Sequence, residues 1–189
     1  MLLRIVLVVA LLLAVVLGVA ALKPKTMKLQ RSMVIHAPAE KIFALLDDFH
    51  HWPAWAPGDK DDPTIQRTYS GAAFGVGAAS NWQGRGSTGA GHMIITGAVP
   101  PCRLIVTVDF ARPFVAHNIN TFTLETVAPE PGAPAAGAPP SGESTKVTWD
   151  FEGSSVFMLR VMSIFMNMDH FMGQHFEQGL QNLKTAAEK

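Results

Sequence analysis

The chain has 189 residues, fifteen Lys and Arg against fifteen Asp and Glu, one cysteine, and 48% hydrophobic residues. A lone Cys102 excludes an internal disulfide framework. The zero net charge is unevenly spread: five basic residues lie at or before Arg31 and every acidic one at Glu40 or later, so Ser32 onward carries a net −5. That sign, with no basic cluster, argues against nucleic acid as a partner.

Ile5 to Leu22 is an unbroken apolar run of eighteen residues. At 1.5 Å per residue a helix of that length reaches about 27 Å, close to the hydrocarbon thickness of a thin bilayer. Cleaved signal peptides have apolar cores of roughly 7–15 residues, so residues 1–24 read as an N-terminal transmembrane anchor. Gly18-Val19-Ala20 keeps a signal peptide as the alternative. Lys23, Lys25, Lys28 and Arg31 follow the run, and the positive-inside count places the rest of the chain in the cytoplasm; a secretory reading would place it outside. The same basic group suits anionic lipid headgroups.

Met27 to Ile35 alternates as a strand, with Arg31 the exception on its apolar face. Pro38 and Glu40 suit the first turn of a helix, whose apolar face is Ile42, Phe43, Leu45 and Leu46. The prolines of His50–Pro57 leave room for one short turn, which carries Trp52 and Trp55. Strands are predicted over Thr64–Ser70, Phe74–Trp82, Gly91–Val99, Leu104–Phe110, His117–Val127 and Thr145–Phe151. Their alternation implies an antiparallel sheet with one covered face and one wet face. Residues 128–144, rich in Pro, Gly and Ala, read as a disordered loop between two strands of that sheet. One long amphipathic helix is expected from about Ser155, with Phe165, Met168, Met172, Phe176, Leu180, Leu183 and Ala187 as its stripe. Met158, Met162, Met166, Met168 and Met172 crowd its start, and methionine fills irregular apolar space.

Chemical motifs are few. Gly84–Gly89 fits a G-x-G-x-x-G pattern, but β-like Met93-Ile94-Ile95-Thr96 follows where dinucleotide binding needs a helix, so a hairpin loop is expected. His170 and His175 do not share a helix face, as paired metal ligands would. His50-His51 beside Asp47-Asp48 reads as a solvated turn, and Asp59–Asp62 as surface. No metal or cofactor site emerges. Tyr69, His92, Asn118 and Asn120 are the polar strand residues able to do acid–base work in a pocket.

Ile35-His36-Ala37-Pro38-Ala39-Glu40 leading to Phe43, Trp52-Pro53-Ala54-Trp55, Gly77-Ala78 with Trp82-Gln83-Gly84, Thr145–Trp149, and Phe176–Leu180 with Leu183-Lys184 occur in an order that resembles the SRPBCC (START-like, helix-grip) superfamily. The likeness is to its polyketide cyclase/dehydrase and lipid-transport branch, over Met27 to Lys189. The resemblance implies an α+β helix-grip fold over residues 27–189, with about seven antiparallel strands wrapped around a long C-terminal helix and enclosing an apolar cavity. Members bind lipids, sterols, polyketides or other hydrophobic molecules, and only some are enzymes.

The leading expectation is a membrane-anchored binder, or carrier, of a hydrophobic small molecule or lipid, without cofactor. Expected cavity residues are Trp82, Met93, Ile95, Val106, Val108, Phe110, Phe122, Trp149, Met158, Met162, Phe165, Met166 and Met172, with Trp52 and Trp55 at the entrance. A cyclase or dehydratase would instead need a converging titratable pair, for which His92 and Tyr69 are the candidates. A membrane-tethered interaction module would have a filled interior. An interior of several hundred Å³ favours the binder.

Overall fold

A computed structural model describes residues 1–57, 62, 64–85, 88–127 and 143–189. The Pro-rich stretch, apart from Glu143 and Ser144, lies outside the described residues, as do Asp59–Asp61 and Gly86-Ser87.

The apolar run forms α1 (Leu2–Leu22). Among the described residues it is the one helix long and apolar enough to cross a membrane, a property that signal sequences share. It is followed by β1 (Thr26–Ile35), α2 (Ala39–Leu46) and a single 3-10 turn (Trp52–Ala54). The next six strands are β2 (Gln66–Gly71), β3 (Ala78–Gln83), β4 (Ala90–Val99), β5 (Arg103–Arg112), β6 (Ala116–Val127) and β7 (Ser144–Ser154). All seven form one antiparallel sheet in the order β1-β7-β6-β5-β4-β3-β2. Val127 pairs with Ser144, so the Pro-rich segment does connect neighbouring strands. The expected start of β3 at Phe74 is a turn instead, where Gly75 and Gly77 take positive φ, the region that disfavours side chains with a Cβ.

The C-terminal stretch is two helices, not one: α3 (Phe157–Phe165) and α4 (Met168–Ala187). The break falls at Met166, whose backbone is extended. Asn167 then caps α4, its side chain accepting from the His170 amide at 3.1 Å. Asparagine is a strong N-cap because its oxygen satisfies an amide that the first turn leaves unpaired.

α4 lies across the concave face of the sheet and buries Phe176, Leu180, Leu183 and Ala187 against it. Two glycines set how closely it sits. A Cβ on Gly179 would lie 2.8 Å from the Trp149 ring, and one on Gly173 would overlap the Arg31 guanidinium. Arg31, the exception in the β1 pattern, crosses that gap to pair with Asp169 (2.9 Å) and Glu177 (2.8 Å).

Candidate functional site

The alternating residues of β4 to β7 project Met93, Ile95, Leu104, Val106, Val108, Phe122, Leu124, Val147, Trp149 and Phe151 into one core. Aromatic rings divide that core into a filled part and a hollow part. In the filled part, Phe49, Trp52, Trp55, Phe122, Trp149 and Phe176 form a chain with ring centroids 4.4–6.0 Å apart, spacings at which edge-on ring contacts are favourable. Beyond it, Trp82 and Phe110 meet edge to face at 5.1 Å.

A cavity of about 480 Å³ lies between these two groups. Trp82, Met93, Val108 and Phe110 line it from the sheet, Trp52, Trp55, Ala56 and Pro57 from the turn after α2, and Trp149 from β7. Ile65, Arg67, Thr88 and His175 complete the lining; His175 is exposed and marks its mouth. The Trp82 indole donates to the Thr88 carbonyl at 3.1 Å, so this wall of the cavity holds no unpaired indole N–H.

Seven of the expected residues therefore line one cavity: Trp52, Trp55, Trp82, Met93, Val108, Phe110 and Trp149. Trp52 and Trp55 are its buried floor and not its entrance, since Trp55 is fully buried and Trp52 nearly so. A proline-rich turn that cannot be deep core on both sides suggests a rim for them. The indole N–H groups instead donate to the carbonyls of Leu46 (2.9 Å) and Leu45 (3.0 Å) at the end of α2, which removes the penalty for burying a polar atom. Ile95, Val106 and Phe122 are fully buried in the filled core and do not line the cavity.

The methionine-rich stretch is elsewhere. Met158, Phe165 and Met166 are exposed, Met162 is half-buried, and none of the four lines the cavity. Met172 lines a separate hollow of about 240 Å³ at the foot of α1. The expectation of one continuous helix placed these side chains over the sheet; the break at Met166 turns α3 away from it.

His92 and Tyr69 do not converge. His92 sits next to Met93 in β4, so it faces the opposite side of the sheet, and its ring contacts Asn81 Oδ1 at 2.9 Å. Tyr69 is exposed and stacks on His50 with centroids 4.0 Å apart. Asn120 is buried and accepts from the Trp149 indole at 2.8 Å; Asn118 is buried on the same face. Among the described residues no group of three or more His, Cys, Asp and Glu is placed to hold a metal ion. Gly84 and Gly89 close a β3–β4 connection through the Gly84 amide and Gly89 carbonyl (2.7 Å), with β4 and not a helix after it. Asp62, expected on the surface, is buried. It accepts from the Thr64 amide and hydroxyl and from the Arg85 amide, and the Thr64 hydroxyl bond leads in holding its carboxyl below the ordinary value.

Residues 26–188 match the family described as polyketide cyclase / dehydrase and lipid transport. The chain belongs to that family. Among solved structures it is similar to a major latex-like protein from Panax ginseng (14% identity, 87% of this chain and 99% of that one, TM-score 0.54). It is also similar to the Aha1 dimer from Colwellia psychrerythraea (17%, 86% and 96%, 0.52) and to a hypothetical protein from Helicobacter pylori (8%, 85% and 88%, 0.60). At these identities the likeness is one of fold, the SRPBCC-type helix grip. A search of curated proteins finds no significant match.

Proposed function

We propose that this protein is a membrane-anchored binder, or carrier, of a hydrophobic small molecule or lipid. The observation that supports this reading is the cavity of about 480 Å³ walled by Trp52, Trp55, Trp82, Met93, Val108, Phe110 and Trp149. Its volume falls within the roughly 300–1,000 Å³ usual for ligand sites. Apolar burial at about 25 cal/mol per Å² supplies the affinity, less the freedom lost on binding. Arg67, Thr88 and His175 are the polar lining groups, and an amphiphile would enter tail first with its polar end towards them. α1 is the proposed anchor, on the length argument given above.

The test is native mass spectrometry of the full chain from a lipid-containing extract, paired with uptake of a fluorescent fatty acid. A retained apolar molecule, and saturable energy transfer from tryptophan to the probe that Val108→Phe abolishes, are the expected results. A chain that carries nothing and takes up no probe refutes the reading. Catalysis by His92 and Tyr69 has no geometric support, because the two side chains lie apart.

A further inference from the structure

Only Lys23, Pro24 and Lys25 join α1 to β1. Three extended residues span at most about 11 Å, and each headgroup layer of a bilayer is about 5–8 Å thick. If α1 crosses a bilayer, the sheet therefore begins at the bilayer surface, with no tether to lift it away.

α3 is fastened at that same level. The Arg160 guanidinium donates to the Ala21 carbonyl at 3.4 Å. The Lys23 ammonium donates to the carbonyl and hydroxyl of Ser163 at 2.8 and 2.9 Å. The Ser155 amide donates to the Lys25 carbonyl at 2.7 Å. Ala20, in the last turn of α1, is fully buried and Val16, one turn earlier, is half-buried, while the rest of that helix is open. α3 itself buries no residue completely. It exposes Phe157, Met158 (52%) and Phe165 (71%), and the adjoining Met166 and Phe171 (57%) extend the patch. Clustered exposed side chains of this size mark an interaction surface. Two basic side chains lie at this helix: Arg160 sits over the Phe157 ring at 5.3 Å and Lys23 reaches Ser163, with Lys25 and Lys28 next along the chain. The nearby acids face basic partners within the protein: Glu152 pairs with Lys28, and Asp169 shares Arg31 with Glu177.

We infer that α3 and the first turn of α4 are a second membrane contact, an interfacial helix that lays Phe157, Met158, Phe165, Met166 and Phe171 into the headgroup layer of the anionic bilayer that α1 crosses. Apolar side chains on one side and basic ones around them are what such helices use. The inference rests on the anchor reading of α1. It gives the contact a consequence for the cavity: His175, at the mouth, stands one turn after Phe171 on the same side of α4, a rise of about 6 Å.

The full chain carrying Cys102→Ser, with a single environment-sensitive dye at Leu12→Cys, Phe165→Cys or Val99→Cys, tests this in vesicles of phosphatidylcholine with and without phosphatidylglycerol. Depth is read by quenchers fixed at known positions in the lipid. The expected result is a deep dye at 12, a dye at headgroup depth at 165 that moves outward without phosphatidylglycerol, and an aqueous dye at 99. A deep dye at 12 with an aqueous one at 165 overturns the docking surface and leaves the anchor standing. An aqueous dye at 12 overturns the anchor, and this surface with it. Equal depth at 165 in both lipids overturns the role of negative charge.

Discussion

α3 and α4 come from one continuous run of periodic apolar residues, yet they do opposite things. α4 is fixed to the sheet by Phe176, Leu180 and Leu183, by two glycines and by the Arg31 pairs. α3 has comparable apolar side chains and buries none of them completely. Periodicity says that a helix has an apolar side; it does not say what covers that side. For α4 the cover is protein. For α3 the candidate cover is lipid.

The largest effect should come from emptying the side that protein covers. Phe176→Ala or Leu180→Ala should cost about 2–5 kcal/mol through lost burial and an unfilled cavity. Phe165→Ala and Met158→Ala should stay within about 0.5 kcal/mol, as at exposed positions generally. Urea unfolding of the full chain in detergent micelles, followed by tryptophan fluorescence, measures both. A large loss at Phe165 would mean that α3 is packed as α4 is, and the contrast would vanish.

Next comes the closeness of approach. A side chain at Gly179 meets Trp149 and Pro57 within 2.8–3.3 Å, so Gly179→Val should destabilise by about 1–3 kcal/mol. Because Trp149 also lines the cavity, the same change should weaken uptake of the fluorescent fatty acid. Ser163→Ala on α3 should leave uptake unchanged.

The boundary between the helices is a smaller target. Asn167→Ala removes the cap of α4 and should cost about 1 kcal/mol, read by the same urea titration. This cap is legible in the sequence, since asparagine directly before a helical run, with Asp169 in the first turn, is a start signal, but the apolar stripe that runs through Phe165 and Met168 masks it. The seven strands, by contrast, could be read to within a few residues, since alternation over Leu104–Phe110 or Val147–Phe151 reports one covered face directly. Alternation could not say which covered residues border empty space. Val106 and Val108 look alike in sequence, yet one is filled core and the other lines the cavity, a difference set by side chains remote in the chain. Trp52 and Trp55 lie deeper than their proline-rich turn suggests for a related reason: the carbonyls that receive their N–H groups come together with them only once α2 is folded.

The smallest effect lies at the far end of α4 and depends on pH. Burial raises the Glu188 pKa, but bonds from the Lys184 ammonium and the His36 amide outweigh it and hold the carboxyl below its ordinary 4.5. A carboxyl lowered on folding contributes stability that is complete above its unfolded value and is lost as pH falls through the folded one. The advantage of wild type over Glu188→Gln should therefore hold at neutral pH and shrink below 4.5. Asp48 and Asp62, also lowered, act equally in both proteins and cancel from the difference. Residues 157–165 of α3 contain no acidic side chain, so Ser163→Ala should show a pH-independent difference from wild type. A Glu188→Gln difference that stays constant down to about pH 3 would mean that the Lys184 and His36 contacts do not hold the end of α4, leaving its apolar side alone to fix it to the sheet.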